Sequence, residues 1–397
     1  RVLFRSQDLL KIKHLKYWLV YIGAILALQE VLFRIFFPLP EIKNLDRVDY
    51  LVTEADGNEA YCRDQSWYWE SIMDTNHQFI HRMNKYGFRD NEWKVHSEKE
   101  RILFIGDSFV EGIMAEQHES IPKVVEANFQ GELVCMNAGM VGAGLESYMK
   151  ASKHLVPLFE PKKLVVCIYA NDLGSTNSAS NPGGFKPEFN SPLVPRVWEI
   201  IEQGSSKGPL LSIFGTKPKR YLPAVPDSRN PWTNQSHELS TFTTPNIANE
   251  MSKGRFNPFM VNSIDKEFDA YTRQPGLSNI PEKLKHLCDQ NGTKLTIVYI
   301  PSRHQVTDKY RTYALEYCSE SESIPSLTAD EFQQHAAILA KTCAENNISY
   351  LNLTGIIKKE EQKENLYWNY DEHFNSKGYR LAADKIYEKL NPVLSSN

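Results

Sequence analysis

The stretch ERILFIGDSFVEG, residues 100–112, decides the fold and contains the most informative side chain of the sequence, that of Ser108. The apolar run 102–105 is typical of a short buried strand, and it stops at Gly106. Glycine permits a tight turn there, and the helical segment that follows begins with backbone N–H groups that lack helical acceptors. The pattern predicts a serine presented at the end of a sheet strand, although a Gly-Asp-Ser turn also occurs by chance.

Beyond this stretch the sequence alternates apolar, strand-like runs with helical segments. The predicted strands are 102–105, 133–136, 164–169, 295–300 and 348–353. The predicted helices are 117–129, 145–155, 281–290, 328–345 and 376–390. The fourth of these helices carries a capping box, formed by Thr328 and Glu331. Such alternation favours an α/β fold with a parallel sheet covered by helices on both faces.

Two regions depart from this alternation. Residues 38–100 are polar and aromatic without a clear period, and we expect an N-terminal extension packed on a catalytic domain that spans 101–397. Residues 174–274 are rich in Pro, Ser, Asn and Gly, and roughly a hundred residues without periodicity are unusual inside a compact domain. Because this insertion begins shortly after Asn171, a lid over the site is the favoured interpretation. A surface excursion that only braces the fold is the alternative.

Length, charge and cysteine spacing limit the classes of function. The 397 residues suffice for one large domain or two ordinary ones, and a hydrophobic content of 41% supports a full core. The net charge of −4 gives no nucleic-acid footprint, so no nucleic-acid partner is expected. The six cysteines lack metal-ligand spacing, and disulfide pairing stays open. Cys135 and Cys167 fall in apolar runs and are expected to be buried.

Residues 17–37 form a mostly apolar stretch near the start of the sequence. As a helix, this stretch would span about 31 Å, close to the thickness of a bilayer core. The preceding residues, 1–16, are basic, which would place them in the cytoplasm by the positive-inside rule. No A-x-A cleavage site follows. We therefore expect an uncleaved single-pass membrane anchor with the catalytic domain in the periplasm or outside the cell; a buried or interfacial helix is the alternative.

The first three predicted strands end in residues that ester chemistry can use. Ser108 offers a nucleophile after the first strand, Gly139 an unshielded N–H after the second, and Asn171 an amide after the third. Ligands of open α/β sheets bind at the carboxyl edges of the strands. We therefore expect the N–H groups of Ser108 and Gly139 and the amide of Asn171 to form an oxyanion hole.

A serine nucleophile needs a base, and the run DEHFNSKG, residues 371–378, supplies one. His373 would accept the Ser108 proton, and Asp371 would bond the other ring nitrogen and fix its tautomer. An Asp-x-His pair taken alone is usually a solvated loop. Its position between the last predicted strand and the closing helix favours the catalytic interpretation.

Three further residues are candidates for substrate contact. Arg303 and His304 follow the fourth predicted strand at the functional edge, and Arg89 precedes the first strand, where a structural role is the favoured alternative. The histidines show no metal-ligand spacing, and neither a P-loop nor a dinucleotide fingerprint follows a strand. We therefore predict no metal and no cofactor.

Four blocks, GDSFVEG, MNAGMVGAG, YANDLG and DEHFNSKGYRLAA, occur in an order that resembles the SGNH/GDSL hydrolase superfamily. The segments NKYGFRDNE and IVYIPSRHQV are similar to membrane-anchored bacterial members. The resemblance implies a three-layer αβα, flavodoxin-like fold with about five parallel strands. By the resemblance, the nucleophile, base and acid are Ser108, His373 and Asp371, and the oxyanion hole is Ser108, Gly139 and Asn171.

The spacing of the acid departs from the common pattern of this superfamily. Many members place it three residues before the histidine, where this sequence has Tyr370, so the Asp-x-His block is more like the alginate-acetylation (AlgX/AlgJ-like) group. The resemblance implies a serine esterase acting on O-acyl, above all O-acetyl, esters of envelope or lipid-linked glycans. The alternatives are a polysaccharide O-acetyltransferase beside a membrane acyl-donor protein, and a catalytically silent binding or assembly subunit.

Overall fold

The computed structural model describes residues 2–36, 52–53, 59–60, 66–69, 71, 73–173, 220–222, 237–239, 243–252, 279–317, 326–329 and 334–391. These residues fall into two compact units. One contains the N-terminal helix and a two-stranded ladder of Arg220–Leu222 with His237–Leu239, and the other contains the central sheet. Most of the predicted insertion, 174–274, lies outside the described residues.

Within the described part of the larger unit, five parallel strands form the central sheet. They are β1 (Glu100–Gly106), β2 (Leu133–Gly139), β3 (Lys163–Tyr169), β4 (Lys294–Ile300) and β5 (Ser349–Asn352). Their spatial order is β5-β4-β3-β1-β2, which is the flavodoxin-like order. The prediction of an α/β fold with about five parallel strands is confirmed. The order reverses between β1 and β3, and a crevice at their carboxyl ends is where such sheets bind ligands.

The strands are short apolar runs because helices cover both faces of the sheet. Leu103, Phe104 and Ile105 of β1 are fully buried, as are Val166 and Cys167 of β3. The cysteines that the structure describes are buried thiols, which confirms the expectation for Cys135 and Cys167. Because the side chains of β1 are buried, the register of this strand in the sheet is fixed, and the residue that follows β1 has a defined position at the sheet edge.

The described helices vary from one turn to ten. They are α1 (Val2–Phe36), α2 (Ser108–Glu111), α3 (Ile121–Asn128), α4 (Leu145–Phe159), α5 (Pro245–Ser252), α6 (Ile280–Gln290), α7 (Arg303–Val306), α8 (Lys309–Tyr317), α9 (Gln334–Glu345), α10 (Thr354–Glu361) and α11 (Ser376–Leu390). Helix α3 packs against α11, and α4 packs against α6. Because parallel crossovers are right-handed, these two pairs lie on opposite faces of the sheet.

Two predicted helices differ from the observed ones. The segment predicted as 117–129 is a 3₁₀ turn, Gln117–Glu119, followed by α3, because Ser120 is extended and Pro122 stands at the start of the second element. Proline lacks an N–H and fits only the first turn of a helix. The helix predicted over 328–345 is described from Gln334 onward, and Thr328 lies in a turn. Glu331 of the predicted capping box is outside the described residues.

The segment ahead of β1 contributes aromatic side chains to the main core. Phe88 and Trp93 are buried, and their rings stack with centroids 5.1 Å apart. Trp93 also meets Phe159 of α4 edge to face, at 5.4 Å. Offset and edge-to-face ring pairs stabilise a core beyond the area that they bury.

Helix α1 contains residues 17–36 of the stretch 17–37 that was predicted to cross a membrane. Among the described residues, no helix is both long enough and apolar enough to do so. The transmembrane prediction is therefore not supported. Its weakness is visible in the sequence, since the uncharged run between Lys16 and Glu30 covers only about 19–20 Å of helix, against the roughly 30 Å of a bilayer core.

Candidate active site

Ser108 is presented by the turn that joins β1 to α2. Asp107 caps the helix, because its Oδ1 accepts the N–H of Phe109 at 2.9 Å. Gly106 has no room for a side chain, since a Cβ there would lie 2.4 Å from Val110 Cγ2. The helix ends after one turn at Gly112, whose φ is +89°. As the first helical residue, Ser108 has an N–H without a helical acceptor beside its hydroxyl.

Three side chains predicted from the sequence lie in one hydrogen-bonded chain. His373 Nε2 is 2.7 Å from Ser108 Oγ, and His373 Nδ1 is 2.6 Å from Asp371 Oδ1. The same Asp371 oxygen accepts the backbone N–H of His373 at 2.9 Å. Asp371 is fully buried, while Ser108 keeps 8% of its surface exposed. The geometry matches a nucleophile, a base and an acid that orients the base.

The electrostatics of the pair favour a charged acid and a basic imidazole. Burial alone raises the pKa of Asp371, but contact with His373 and the nearby charge of Arg303 bring it below its ordinary value. Burial lowers the pKa of His373, but Asp371 outweighs it and holds the pKa above its ordinary value. Because each partner stabilises the charged form of the other, His373 is well suited to take a proton from a hydroxyl.

Arg303 is engaged inside the protein, and its predicted contact with a substrate stays a prediction. Its side chain is 1% exposed, and its guanidinium donates to backbone carbonyls of the loop that carries Asp371. These bonds include those to Asn369 O at 2.8 Å and Asp371 O at 3.0 Å. Arg303 therefore braces the acid–base loop.

His304 is buried, with 3% of its surface exposed, and its role as a substrate contact stays a prediction. Burial, together with the positive charges of Arg303 and Arg311, lowers the pKa of His304 well below its ordinary value. The ring is therefore neutral at neutral pH and belongs to the interior.

Arg89 takes the structural role that was its alternative. It is fully buried, and burial lowers the pKa of its guanidinium to about 10. Its two terminal nitrogens donate to the carbonyls of Gly112 at 2.6 Å and Ala115 at 2.8 Å, and also to those of Ile80 and Glu111. Arg89 therefore satisfies the carbonyls at the end of the helix that carries Ser108.

Glu111, within the serine block, forms a buried pair that the sequence did not predict. His81 Nδ1 lies 2.6 Å from Glu111 Oε1, and both side chains are fully buried. Burial, and then the charge of Arg89, lowers the pKa of His81 to about 4. A neutral His81 can thus donate from Nδ1 to Glu111 and fix the end of α2. In the sequence, the segment after Ser108 can be recognised as the end of a buried helix. That segment does not identify His81 as the partner of Glu111.

The N–H of Gly139 donates to the Oδ1 of Asn137 at 3.0 Å, and its role in the oxyanion hole stays a prediction. The glycine also has a packing reason, because a Cβ would lie 2.1 Å from Glu111 N. The end of β2 thus touches the backbone of α2, and only glycine permits that approach.

Asn171 follows β3 within the 3₁₀ turn Ala170–Leu173, at the β1–β3 reversal of the sheet. Asp172 beside it is braced, since its Oδ2 accepts the hydroxyl of Tyr148 and the N–H of Tyr169, both at 2.9 Å. The turn is therefore fixed next to β1, and Asn171 remains a candidate oxyanion donor.

Two buried carboxyls near the nucleophile have raised pKa values. Burial raises the pKa of Asp107 to about 7, although His373 opposes the shift. Burial, and then the charge of Asp107, raises the pKa of Asp172 well above its ordinary value. These acids are therefore partly or wholly protonated near neutral pH, and Asp371 is the acid that stays ionised beside His373.

A carboxylate that the sequence did not single out also serves the site. Asp74, from the segment ahead of β1, accepts three backbone N–H groups of the loop that precedes His373. Nothing in the local sequence marks this residue.

Among the described residues, no group of three or more His, Cys, Asp or Glu side chains is arranged to hold a metal ion. The absence of a metal or cofactor from the reaction stays a prediction.

Comparison with known proteins gives likenesses in structure alone. No protein-family model matches the chain, and no curated protein matches it. Among solved structures it is similar to a lipase/acylhydrolase from Enterococcus faecalis, with 13% identity, a TM-score of 0.37, and 73% of this chain aligned to 95% of that one. It is similar to a member of the lipolytic G-D-S-L family from Veillonella parvula, with 12% identity, a TM-score of 0.35, and 73% aligned to 97%.

A carbohydrate acetylesterase family member from Sinorhizobium meliloti is a further similar structure, with 10% identity, a TM-score of 0.34, and 75% of this chain aligned to 99% of that one.

Proposed function

We propose that the protein is a serine esterase of the SGNH/GDSL type that hydrolyses O-acyl esters through an acyl-enzyme on Ser108. The observation that carries the proposal is the chain of hydrogen bonds from Ser108 Oγ through the His373 ring to Asp371 Oδ1. Two segments of the chain meet there, since Ser108 and His373 are 265 residues apart, and the side chains stand in the order that a nucleophile, a base and an orienting acid require.

The steps follow from this geometry. As Ser108 Oγ attacks the ester carbonyl, His373 Nε2 accepts its proton, and the imidazolium is stabilised by Asp371 at Nδ1. The N–H of Ser108 and the amide of Asn171 are the proposed donors to the oxyanion. The C–O bond to the leaving alkoxide breaks as the alkoxide takes the proton from His373. Water then attacks the acyl group, His373 takes the water proton, and Ser108 recovers a proton as it leaves.

The proposed substrate class is the O-acetyl esters of glycans, including lipid-linked glycans. Support comes from the four sequence blocks that resemble the SGNH/GDSL superfamily and from the Asp-x-His spacing of Asp371 and His373, which is like that of the alginate-acetylation group. That spacing also favours a second candidate, transfer of the acetyl group to a sugar hydroxyl in place of water, with a membrane acyl-donor protein as partner. In that case the hydroxyl proton passes to His373 by the same path.

The acceptor and the catalytic serine are tested together. The purified protein is incubated with an activated acetyl ester, with and without an oligosaccharide, beside Ser108→Ala. We expect acetate release that depends on Ser108; acetylated oligosaccharide in place of acetate identifies the transferase. No turnover of either kind by the wild type, or equal turnover by Ser108→Ala, contradicts the proposal and favours a silent binding subunit.

Attachment to a membrane and a catalytic domain outside the cytoplasm stay predictions of the sequence. They depend on the basic flank 1–16 and on the apolar side chains of α1, of which Tyr17 and Trp18 are more than 60% exposed. Protease added to intact spheroplasts is expected to digest the catalytic domain. Protection from outside, with digestion only after lysis, contradicts the orientation.

A further inference from the structure

We propose that Asp74 and Arg303 are positioning residues that hold the loop 368–371 from two sides, so that Asp371 and His373 face Ser108. The proposal deepens the proposed function and rests on it. Neither residue touches the reacting atoms, and both act through the backbone of the acid–base loop.

Asp74 holds the N–H groups of this loop. Its Oδ1 accepts from Asn369 N at 2.8 Å and from Tyr370 N at 3.0 Å, and its Oδ2 accepts from Asp371 N at 2.8 Å. Ser71 donates its hydroxyl to the same Oδ2 at 3.0 Å and fixes the carboxylate. Three successive N–H groups thus share one side chain that lies 295 to 297 residues earlier in the sequence.

Arg303 holds the carbonyl groups of the same loop. Its Nη1 donates to the carbonyls of Trp368 at 3.2 Å, Asn369 at 2.8 Å and Asp371 at 3.0 Å. Its Nη2 contacts the carbonyl of Tyr370 at 3.4 Å. The planar guanidinium presents several donors in one rigid fork, which a lysine cannot reproduce.

This arrangement replaces secondary structure. Buried backbone N–H and C=O groups must find partners, and in a helix or strand the neighbouring backbone supplies them. Among the described residues, the loop has one such bridge, between Tyr367 and Phe374, where Trp368 N donates to His373 O at 3.0 Å. At the tip, the described structure shows side chains as the partners, one accepting from the N–H groups and one donating to the C=O groups.

The charges of the two residues match the groups that they hold. Burial raises the pKa of Asp74, and the charge of Asp371 adds to the rise, while the N–H groups of Tyr370 and Asp371 oppose it. The positive charge of Arg303 contributes to the lowered pKa of Asp371. Arg303 therefore helps to keep the catalytic acid ionised by its charge, whereas Asp74 acts on the loop through the backbone N–H groups that it accepts.

The test compares Asp74→Asn and Arg303→Lys with matched controls. Asp90 is a suitable control for Asp74, because it also accepts three N–H groups, from Asn91, Trp93 and Asn137. Arg101→Lys is the control for Arg303, since Arg101 Nη1 donates to the carbonyl of Phe159 at 2.6 Å from the opposite end of β1.

We expect Asp74→Asn and Arg303→Lys to lose kcat on the order of 10²-fold, as a misplacement near 1 Å typically costs, with KM little changed. We also expect the acidic limb of the kcat/KM profile to move to lower pH. The pKa of His373 is raised by Asp371, and to a lesser degree by Glu372 and Asp107, so a loosened Asp371 contact lowers it. Asp90→Asn and Arg101→Lys should lower the melting temperature but leave kcat and this limb in place.

A spectroscopic readout separates this proposal from the proposed function. Proton NMR of protein labelled with ¹⁵N-histidine should show a low-field signal from the His373 Nδ1–H in the wild type and its loss in Asp74→Asn. If the wild type lacks esterase activity but shows this change, the proposed function fails and the positioning role stands. If the wild type is active and both variants keep its kcat, acidic limb and low-field signal, the positioning role is overturned and the esterase stands.

Asp74→Glu covers the case in which Asp74→Asn does not fold. This variant keeps the carboxylate and moves it by one methylene, so a folded protein is expected with kcat reduced by about tenfold or more and KM little changed. Wild-type kcat in folded Asp74→Glu overturns the proposal.

Discussion

The Ser108 turn and the loop 368–373 form the two halves of the proposed site, and they are held by different means. The turn is fixed by regular structure, since β1 leads into it and Asp107 caps the helix that follows. Among the described residues the loop has one backbone bridge, and its other backbone groups are held by Asp74 and Arg303. Each half has a buried arginine on backbone carbonyls and a carboxylate on backbone N–H groups, but Asp107 belongs to the Ser108 turn itself, whereas Asp74 lies about 300 residues from the loop that it holds.

The difference indicates where the site is sensitive to substitution. A nucleophile held by a strand, a cap and a helix has several independent supports, and the loss of one leaves the others. The loop that carries the base His373 is held by two side chains, so the base has few such supports. We therefore expect changes around Ser108 to act mainly on stability, and changes around His373 to act mainly on kcat.

The largest expected effect on catalysis, short of removing the nucleophile or the base, is that of Asp371→Asn. Loss of an orienting carboxylate in such a triad costs about 10⁴-fold in kcat, because the imidazole takes the wrong tautomer. The acidic limb of kcat/KM should also move to lower pH, because Asp371 raises the pKa of His373. Steady-state kinetics across pH check both effects; a loss below tenfold at an unchanged limb means that the loop does not orient the base.

Gly139→Ala should act on stability through the Ser108 turn. The added Cβ would lie 2.1 Å from Glu111 N, so the end of β2 and helix α2 must separate. Overpacking of this kind costs about 1–3 kcal/mol or more in the free energy of unfolding. Urea unfolding measures it, with Gly355→Ala as the control, because nothing lies within 4 Å of a Cβ at that helical position. Equal stabilities of the two variants would show that the close approach is absent in solution.

Arg89→Lys compares the two buried arginines directly. A lysine cannot reach all four carbonyls that Arg89 holds, and hydrogen bonds that involve a charged group contribute about 1.5–3 kcal/mol each. The free energy of unfolding should fall by about 2 kcal/mol, whereas kcat of the folded variant should fall less than in Arg303→Lys. A larger loss of kcat in folded Arg89→Lys than in folded Arg303→Lys reverses the comparison.

A pH-dependent gain in stability is expected in Asp107→Asn. The pKa of Asp107 is raised by burial to about 7, so the folded state binds its proton more tightly than the unfolded state. The wild type then loses stability as the pH rises from the ordinary carboxyl range towards 7, and asparagine removes that loss while it still caps the helix. The variant should gain on the wild type at pH 8 relative to pH 4.5 in urea unfolding. An equal difference at both pH values contradicts the raised pKa.

The sequence predicted the features that depend on short-range pattern. Apolar runs that stop at Gly106, Gly139 and Tyr169 marked the carboxyl ends of adjacent strands, and ligand-binding edges follow from that topology. The contact of Ser108 with His373 and Asp371 was then predicted from the position of these two residues just before the closing helix.

What could not be predicted depends on contacts between distant side chains. Asp74 lies in a segment without periodicity, about 300 residues from the loop that it holds. The engagement of the Gly139 N–H depends on how the Asn137 side chain turns at the strand end. Arg303 and Arg89 look alike in sequence whether they face a substrate or a buried carbonyl, and only burial separates the two roles.

Covalent labelling by a fluorophosphonate, with the adduct located by peptide mass spectrometry, tests most directly whether His373 activates Ser108. We expect one adduct, on Ser108, formed quickly by the wild type and slowly by folded His373→Ala. An adduct on another residue, or none on a folded wild type, would contradict the assignment of Ser108 as a nucleophile activated by His373.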